Sequence, residues 1–156
     1  MYKKILVTGS SAVLGTAIKK LSLDLEKEFI FWTSKDCDLT NIDDTIIKIK
    51  KINPDAIIHL AAKSGGIGLS RKFQASMLRD ISLMNISVLE AARLNKVKKT
   101  IMTLTTGMYP PDAPLPLKEE TMHYGDPHES NYGSSFAKRM IDPLIRSYRD
   151  EFNLNV

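Results

Sequence analysis

Gly9-Ser10-Ser11-Ala12-Val13-Leu14-Gly15 lies between an apolar run, Lys4–Thr8, and a helical pattern. Two glycines six apart in a strand–turn–helix context suit a bound pyrophosphate. Gly9 would allow a tight turn, and Gly15 close packing of the helix on the strand. Free N–H groups at the helix start would then face the phosphates. The Ser10 and Ser11 hydroxyls could add donors, and Ala12 stands where a middle glycine would let the backbone approach most closely. A second apolar run, Phe29–Thr33, leads into Ser34, Lys35, Asp38 and Leu39. A hydroxyl and a cation at that strand end suit a 2′-phosphate, which favours NADP over NAD. Asp38, a few residues on, is a candidate for the adenine edge.

Positioning such a turn takes strands that alternate with helices. Apolar residues at 13, 14, 17, 18, 21 and 25 predict a helix over Val13–Leu25. Thr40 and Asn41 offer N-cap chemistry for a helix over Ile42–Ile52, which Asn53-Pro54-Asp55 ends. Ala56–Ala61 reads as a third strand, with His59 inside it as a buried, hydrogen-bonded core residue. Gly65, Gly66 and Gly68 then break the chain. Helical pattern resumes over Gln74–Leu94, a fourth strand covers Thr100–Leu104, and four prolines between 110 and 116 mark a loop. A last helix covers Ser135–Phe152, and Asn153–Val156 resembles the start of another strand. This alternation implies a Rossmann-like, doubly wound parallel α/β sheet.

Composition fits one ordinary domain over residues 1–156. The 22 Lys plus Arg against 18 Asp plus Glu leave a net charge of +4, spread out, which argues against nucleic acid. Apolar residues at 43% and charged residues at 26% exclude disorder and a fibrous chain. Cys37 is the lone cysteine, so an internal disulfide is impossible, and no metal site is expected. The apolar run near the N-terminus is too short for a signal peptide, and no stretch approaches a membrane span. The expectation is a cytoplasmic protein without membrane contact.

The blocks KILVTGSSAVLG, HLAAKSGGIG, SVLEAA, LTTGMYP, PHESNYG and AKRMID resemble the extended short-chain dehydrogenase/reductase superfamily. Within it they are most similar to the GDP-L-fucose synthase family, NADP-dependent 3,5-epimerase/4-reductases of GDP-4-keto-6-deoxymannose. The resemblance runs along the whole chain; HLAAKSGGI and the pair PHESNYG and AKRMID are its most specific parts. It implies that Leu60, Ala61 and Ala62, with Leu104 at the fourth strand's end, flank the cofactor. It also implies that Gly65 and Gly66 line the nicotinamide and sugar side.

The superfamily's chemistry uses a Tyr-x-x-x-Lys pair, in which the lysine one helical turn on lowers the pKa of the phenol. No tyrosine here has a lysine four residues later. Anchoring on Tyr132 makes Phe136 the missing lysine. Anchoring on AKRMID makes Lys138 the retained lysine and Ser134 the replacement of the tyrosine. The second register aligns the flanking residues without gaps and is preferred. Thr105 then keeps the hydroxyl of the family's catalytic serine, Gly107 replaces its acid/base cysteine, and Ile81 replaces a relay asparagine. Ser87 likewise stands where asparagine is common. The changes fall on chemistry while fold positions are kept, which predicts cofactor binding without turnover.

Family members add a C-terminal part that binds the nucleotide sugar, and the expectation is that this part is absent here. The expected partners are a nucleotide-sugar substrate and a second chain, homodimeric or heterodimeric, through helices 74–94 and 135–152. Three readings stand: the cofactor half of an oxidoreductase, a non-catalytic NADP(H)-binding pseudoenzyme, and a structural partner of a full-length synthase.

Overall fold

A computed structural model describes residues 2–156. Four strands, β1 (Lys4–Thr8), β2 (Glu28–Trp32), β3 (Ala56–His59) and β4 (Lys99–Met102), form one parallel sheet in the order β2-β1-β3-β4. The winding reverses between β1 and β3, the switch point where doubly wound sheets bind ligands. β1 is in register with both neighbours, Thr8 lying opposite Trp32 on one side and His59 on the other.

The period-2 alternation of the strands divides the sheet into two faces. Leu6, Ile30, Trp32 and Ile57 face a core with Ile49 of α2 (Ile42–Ile52). Val88, Leu89 and Ala92 of α4 (Gln74–Leu94) and Leu144 and Ile145 of α6 (Ile141–Phe152) complete it. Ile5, Val7, Phe29, Phe31 and Ile58 face the other way, against Ile18 of α1 (Val13–Leu21). Fully burying a side chain such as Leu6 or Ile57 stabilises the fold by about 1.5–3 kcal/mol.

The described residues divide into two compact units. The first takes residues through Ala62, with Leu83–Thr103 and Leu144–Val156; the second takes Lys63–Ser82 and Leu104–Pro143. The second unit contains the short helix α3 (Gly66–Lys72) and α5 (Tyr132–Arg139).

Several boundaries differ from the sequence expectation. α1 stops at Leu21 and tightens into a 3₁₀ turn over Ser22–Asp24, where Ser22 Oγ donates to Lys19 O at 2.8 Å. Leu21, Leu23 and Leu25 are exposed, so the apolar spacing that suggested a longer helix is not matched by burial. The glycine-rich stretch forms α3, which starts at Gly66 with φ +69°. The last helix starts three residues early and breaks at Met140. Pro143 explains the break, because it has no N–H to give to Arg139 O and its ring crowds that carbonyl. Asn153–Val156 forms no strand, although Thr100 N donates to Asn155 O at 2.9 Å.

Local chemistry fixes the α2–β3 corner. Asn41 Oδ1 accepts from Asp44 N at 3.0 Å and caps α2, and Asn53 closes it in the left-handed conformation. Asp55 then accepts from Lys3 N and Lys4 N at 2.8 and 3.0 Å, and from Lys98 Nζ at 2.6 Å. The Lys98 ammonium, with the amides of Lys4 and Lys3, holds the Asp55 carboxyl well below the ordinary carboxylate range. A depressed folded pKa adds stability above the unfolded value, about 3.9, that fades as pH falls through the folded one. Asp55→Asn should therefore lower Tm at pH 7, and its deficit should shrink as pH falls below about 4. A deficit that stays constant between pH 7 and pH 2 in thermal melts would refute this assignment.

Candidate functional site

The Gly9–Gly15 turn is built by close backbone approach. Gly9 has φ +72°, and a Cβ there would lie 2.6 Å from Ala61 N and 2.8 Å from Leu60 C. A Cβ on Gly15 would lie 2.5 Å from Ser10 Cα and 2.7 Å from Gly9 O. Both positions are thus closed to a side chain by main-chain atoms that cannot easily move. Ser10 N donates to Trp32 O at 3.0 Å and Ala12 N to Gly9 O at 3.3 Å. No side chain caps α1 at Ala12. The first turn of α1 is left bare, with Val13 90% exposed, Leu14 exposed, and Ser11 and Ala12 beside them; Ser10 is buried. Residues Leu60 and Ala61 come directly against this turn, and Ala62 follows them, exposed.

The bend after β2 is held by a residue that the spacing argument overlooked. Asp36 Oδ2 accepts from Thr33 N at 2.7 Å and from Thr33 Oγ1 at 2.8 Å. The backbone bond to Thr33, then the hydroxyl, lowers the pKa of this carboxyl. Ser34 and Lys35 project outward from that bend. Asp38 is exposed and accepts from Thr40 Oγ1 at 2.7 Å. Leu39 differs in kind: its side chain is buried in the core with Leu6 and Trp32. His59 is fully buried, with Nδ1 2.8 Å from Thr8 Oγ1 and Nε2 3.2 Å from Asn85 Oδ1, as expected for a core histidine. Ser87 Oγ is buried without a partner.

The remaining candidates lie in the second unit. Leu104 and Thr105 are exposed, and Thr105 Oγ1 accepts from Gly107 N at 3.3 Å. Ser134 Oγ donates to Asn131 O at 3.0 Å, a bond back into the preceding turn. Lys138 is buried, and desolvation pushes its pKa down. Tyr132 stacks edge-on against Phe136 with centroids 4.6 Å apart, so the alternative register corresponds to an aromatic pair. Ile81 is buried against Met77 and Ala137, an apolar contact where a relay asparagine was sought.

Two side chains absent from the sequence reading hold this unit in shape. Gln74 Oε1 accepts from Gly133 N at 2.7 Å while its Nε2 donates to Glu129 O at 2.7 Å. Arg139 is buried; its Nε and Nη2 donate to Met108 O, and Nη1 to Gly125 O at 2.7 Å. Desolvation lowers its pKa, against the opposing pull of Asp126. The AKRMID block contains Arg139, but nothing in its spacing says which carbonyls it meets. A small apolar cavity is lined by Lys63, Ser64, Leu69, Phe73 and Met77, next to Gly65 and Gly66. Lys63 Nζ is held 2.8 Å from Asp80 Oδ2, and Arg79 holds the other carboxylate oxygen. Among the described residues no group of His, Cys, Asp or Glu could hold a metal ion. Nor is any described helix long and apolar enough to cross a membrane.

A parallel sheet wound both ways around a glycine turn defines an α/β fold of the dinucleotide-binding class. Residues 5–156 match the NAD dependent epimerase/dehydratase family, and the chain belongs to it. It is 36% identical to the GDP-L-fucose synthase of Dictyostelium discoideum, over 96% of this chain and 48% of that protein. It superposes on a GDP-L-fucose synthetase from Naegleria fowleri bound to NADP with TM-score 0.87 and 35% identity, covering 96% of this chain and 45% of that one. MlghC, a GDP-mannoheptose C4 reductase from Campylobacter jejuni with NADP bound, matches at TM-score 0.91 and 25% identity, over 99% of this chain and 49% of that one. The chain spans about half the length of the curated relatives it matches.

Proposed function

We propose that this chain binds NADP(H) and does not itself reduce a ketosugar. The phosphates would lie over Gly9, Ser10, Ser11, Ala12, Val13, Leu14 and Gly15. Ser34 and Lys35 would take the 2′-phosphate and Asp38 the adenine side. The backbone of Leu39, together with Leu60, Ala61 and Ala62, would flank the rest. The close approaches at Gly9 and Gly15 support this fit, because they draw the turn tight and leave the start of α1 without a side-chain cap. When bound, the cofactor supplies hydride.

The observation that carries the second half of the proposal is the Ser134–Asn131 bond. At the position of the family's acid stands a short hydroxyl that gives its proton to a backbone carbonyl. An aliphatic hydroxyl is far too weak an acid to replace a phenol, so a nearby cation cannot poise it near neutral pH. Thr105 retains a hydroxyl for orienting a substrate, and Lys138 retains its amine, but Gly107 has no group to move a proton. The chain accordingly acts as a cofactor-binding member of a nucleotide-sugar family.

The named activities of the relatives favour a GDP-linked sugar as the substrate class. Exposed Leu78 and Leu83 of α4 and exposed Phe152 of α6 favour a second chain docking on these helices, as homodimer or heterodimer.

Thermal melts with NADPH and NADH test the binding, with Trp32 fluorescence as a second readout. At 100-fold excess over Kd a ligand adds about 2.7 kcal/mol, which raises Tm by several degrees. NADPH should do so and NADH less. Steady NADPH oxidation with GDP-4-keto-6-deoxymannose would overturn the claim of no turnover.

A further inference from the structure

The bend after β2 carries a carboxylate that a 2′-phosphate should repel, yet one of its oxygens is taken up within the bend itself. Asp36 Oδ2 accepts from Thr33 N at 2.7 Å and from Thr33 Oγ1 at 2.8 Å. The Thr33 hydroxyl, its proton given to Asp36, accepts in turn from Lys35 N at 3.2 Å. Asp36 N closes the bend by donating to Thr33 O at 3.1 Å. Ser34 and Lys35 are left exposed at its tip. The bend is also pinned to its surroundings. Lys48 Nζ of α2 donates to Asp36 O at 2.9 Å while pairing with Asp44 at 2.8 Å. Cys37, the next residue, is buried in the core. Just ahead of the bend, Ser10 N of the glycine turn donates to Trp32 O at 3.0 Å.

We propose that Asp36 is a positioning residue for phosphomonoester recognition: through Thr33 it fixes the backbone that presents Ser34 and Lys35 to the 2′-phosphate. This rests on the NADP(H) reading above and adds the residue that sets its selectivity. A carboxylate at this strand end ordinarily accepts the ribose hydroxyls and so selects NAD. Here Asp36 Oδ2 meets the amide and hydroxyl of Thr33 instead. The backbone bond to Thr33, then the hydroxyl, favours the ionised carboxylate, the form that accepts both. A bend held in place before the ligand arrives loses less freedom on binding. This matters most for Lys35, whose ammonium is a point charge on a flexible stem. A clamp and a direct contact make opposite predictions. A carboxylate facing the phosphate would repel it, so deleting the charge would strengthen binding of the phosphorylated nucleotide. A carboxylate that clamps Thr33 supports that binding, and asparagine, whose Oδ1 accepts the same two bonds, replaces it.

Calorimetric titration of the full chain with NADPH against NADH, and with adenosine 2′,5′-bisphosphate against 5′-AMP, is the test. The members of each pair differ only in the 2′-phosphate. Wild type should prefer the 2′-phosphorylated member of both. Asp36→Ala should lower that preference about three- to tenfold, the effect of one lost hydrogen bond. Thr33→Val should lower it alike, because it removes the hydroxyl that links Asp36 to Lys35 N. Asp36→Asn should retain it. The ratio within each pair is the readout, because a general loosening of the fold weakens both members together. A preference unchanged or raised in Asp36→Ala overturns the clamp and leaves the cofactor reading standing. A loss in Asp36→Asn as large as that in Asp36→Ala overturns it too, since charge and not the clamp would then be at work. Wild type that binds neither NADPH nor NADH overturns the cofactor reading, and the clamp with it.

Discussion

Gly9→Val should lower stability by about 2–5 kcal/mol and abolish the NADPH-dependent rise in Tm. Two effects add. Gly9 has φ +72°, where an L side chain is disfavoured by roughly 1–2 kcal/mol. Its Cβ would also lie 2.6 Å from Ala61 N and 2.7 Å from Ala61 Cα, and forced overpacking typically costs about 1–3 kcal/mol. Neither neighbour is the tip of a flexible side chain, so relief requires the backbone beyond β3 to shift. For a domain of this size each kcal/mol moves Tm by about 2–4 °C, so a drop on the order of 4–20 °C is expected. Gly68→Ala is the control. A Cβ there meets nothing within 4 Å, and alanine inside a helix gains up to about 1 kcal/mol over glycine. Tm values for Gly9→Val and Gly68→Ala within about one degree of each other would refute the close approach at Gly9.

Gly133→Ala is expected to destabilise where a helical glycine ordinarily gains from alanine. The added Cβ would lie 2.2 Å from Gln74 O and 2.9 Å from Gln74 C, both main chain at the start of α4. Separating them costs about 1–3 kcal/mol and strains the Gly133 N to Gln74 Oε1 bond of 2.7 Å. Gln74→Ala removes only the side-chain clamp, about 1 kcal/mol per bond. The double variant should therefore lose less than the sum, because both changes act on one contact. Denaturant midpoints read the effect. A Gly133→Ala midpoint above wild type would mean that α4 does not press on this glycine.

The regular fold was legible because it rests on local rules. β1 and α2 match their predicted bounds, since an apolar run and an Asn cap need only their own neighbours. The α1 end and the break at Met140 differ from the sequence expectation for opposite reasons. Apolar spacing over Leu21 and Leu25 promised burial that the fold does not provide. Pro143 states its constraint locally, but the apolar pattern of Ser135–Phe152 runs across it. The glycines of α3 argued against a helix that forms regardless.

The candidate site divides the same way. The glycine spacing pointed to Gly9 and Gly15, and each has a main-chain neighbour that explains it. The identities of Ser134 and Gly107 were readable one residue at a time. The partners of Ser134, Gln74 and Arg139 were not, because each bonds a backbone carbonyl or amide whose position is set by chain passage and not by residue type. The unpaired state of the Ser87 hydroxyl belongs to the same class: a hydroxyl in sequence is neither satisfied nor unsatisfied until the fold places its neighbours.

By itself the sequence determined the alternation of strand and helix, the glycine turn, and which reactive groups are present or replaced. Tertiary structure alone decided that the Ser134 hydroxyl is closed on the backbone while that of Ser87 is left unpaired, and that Leu39 belongs to the core. Periodicity and motif spacing act within a few residues along the chain. Burial and hydrogen bonding are settled between segments tens of residues apart, such as Gln74 with Gly133, where only the packed backbone fixes the distance.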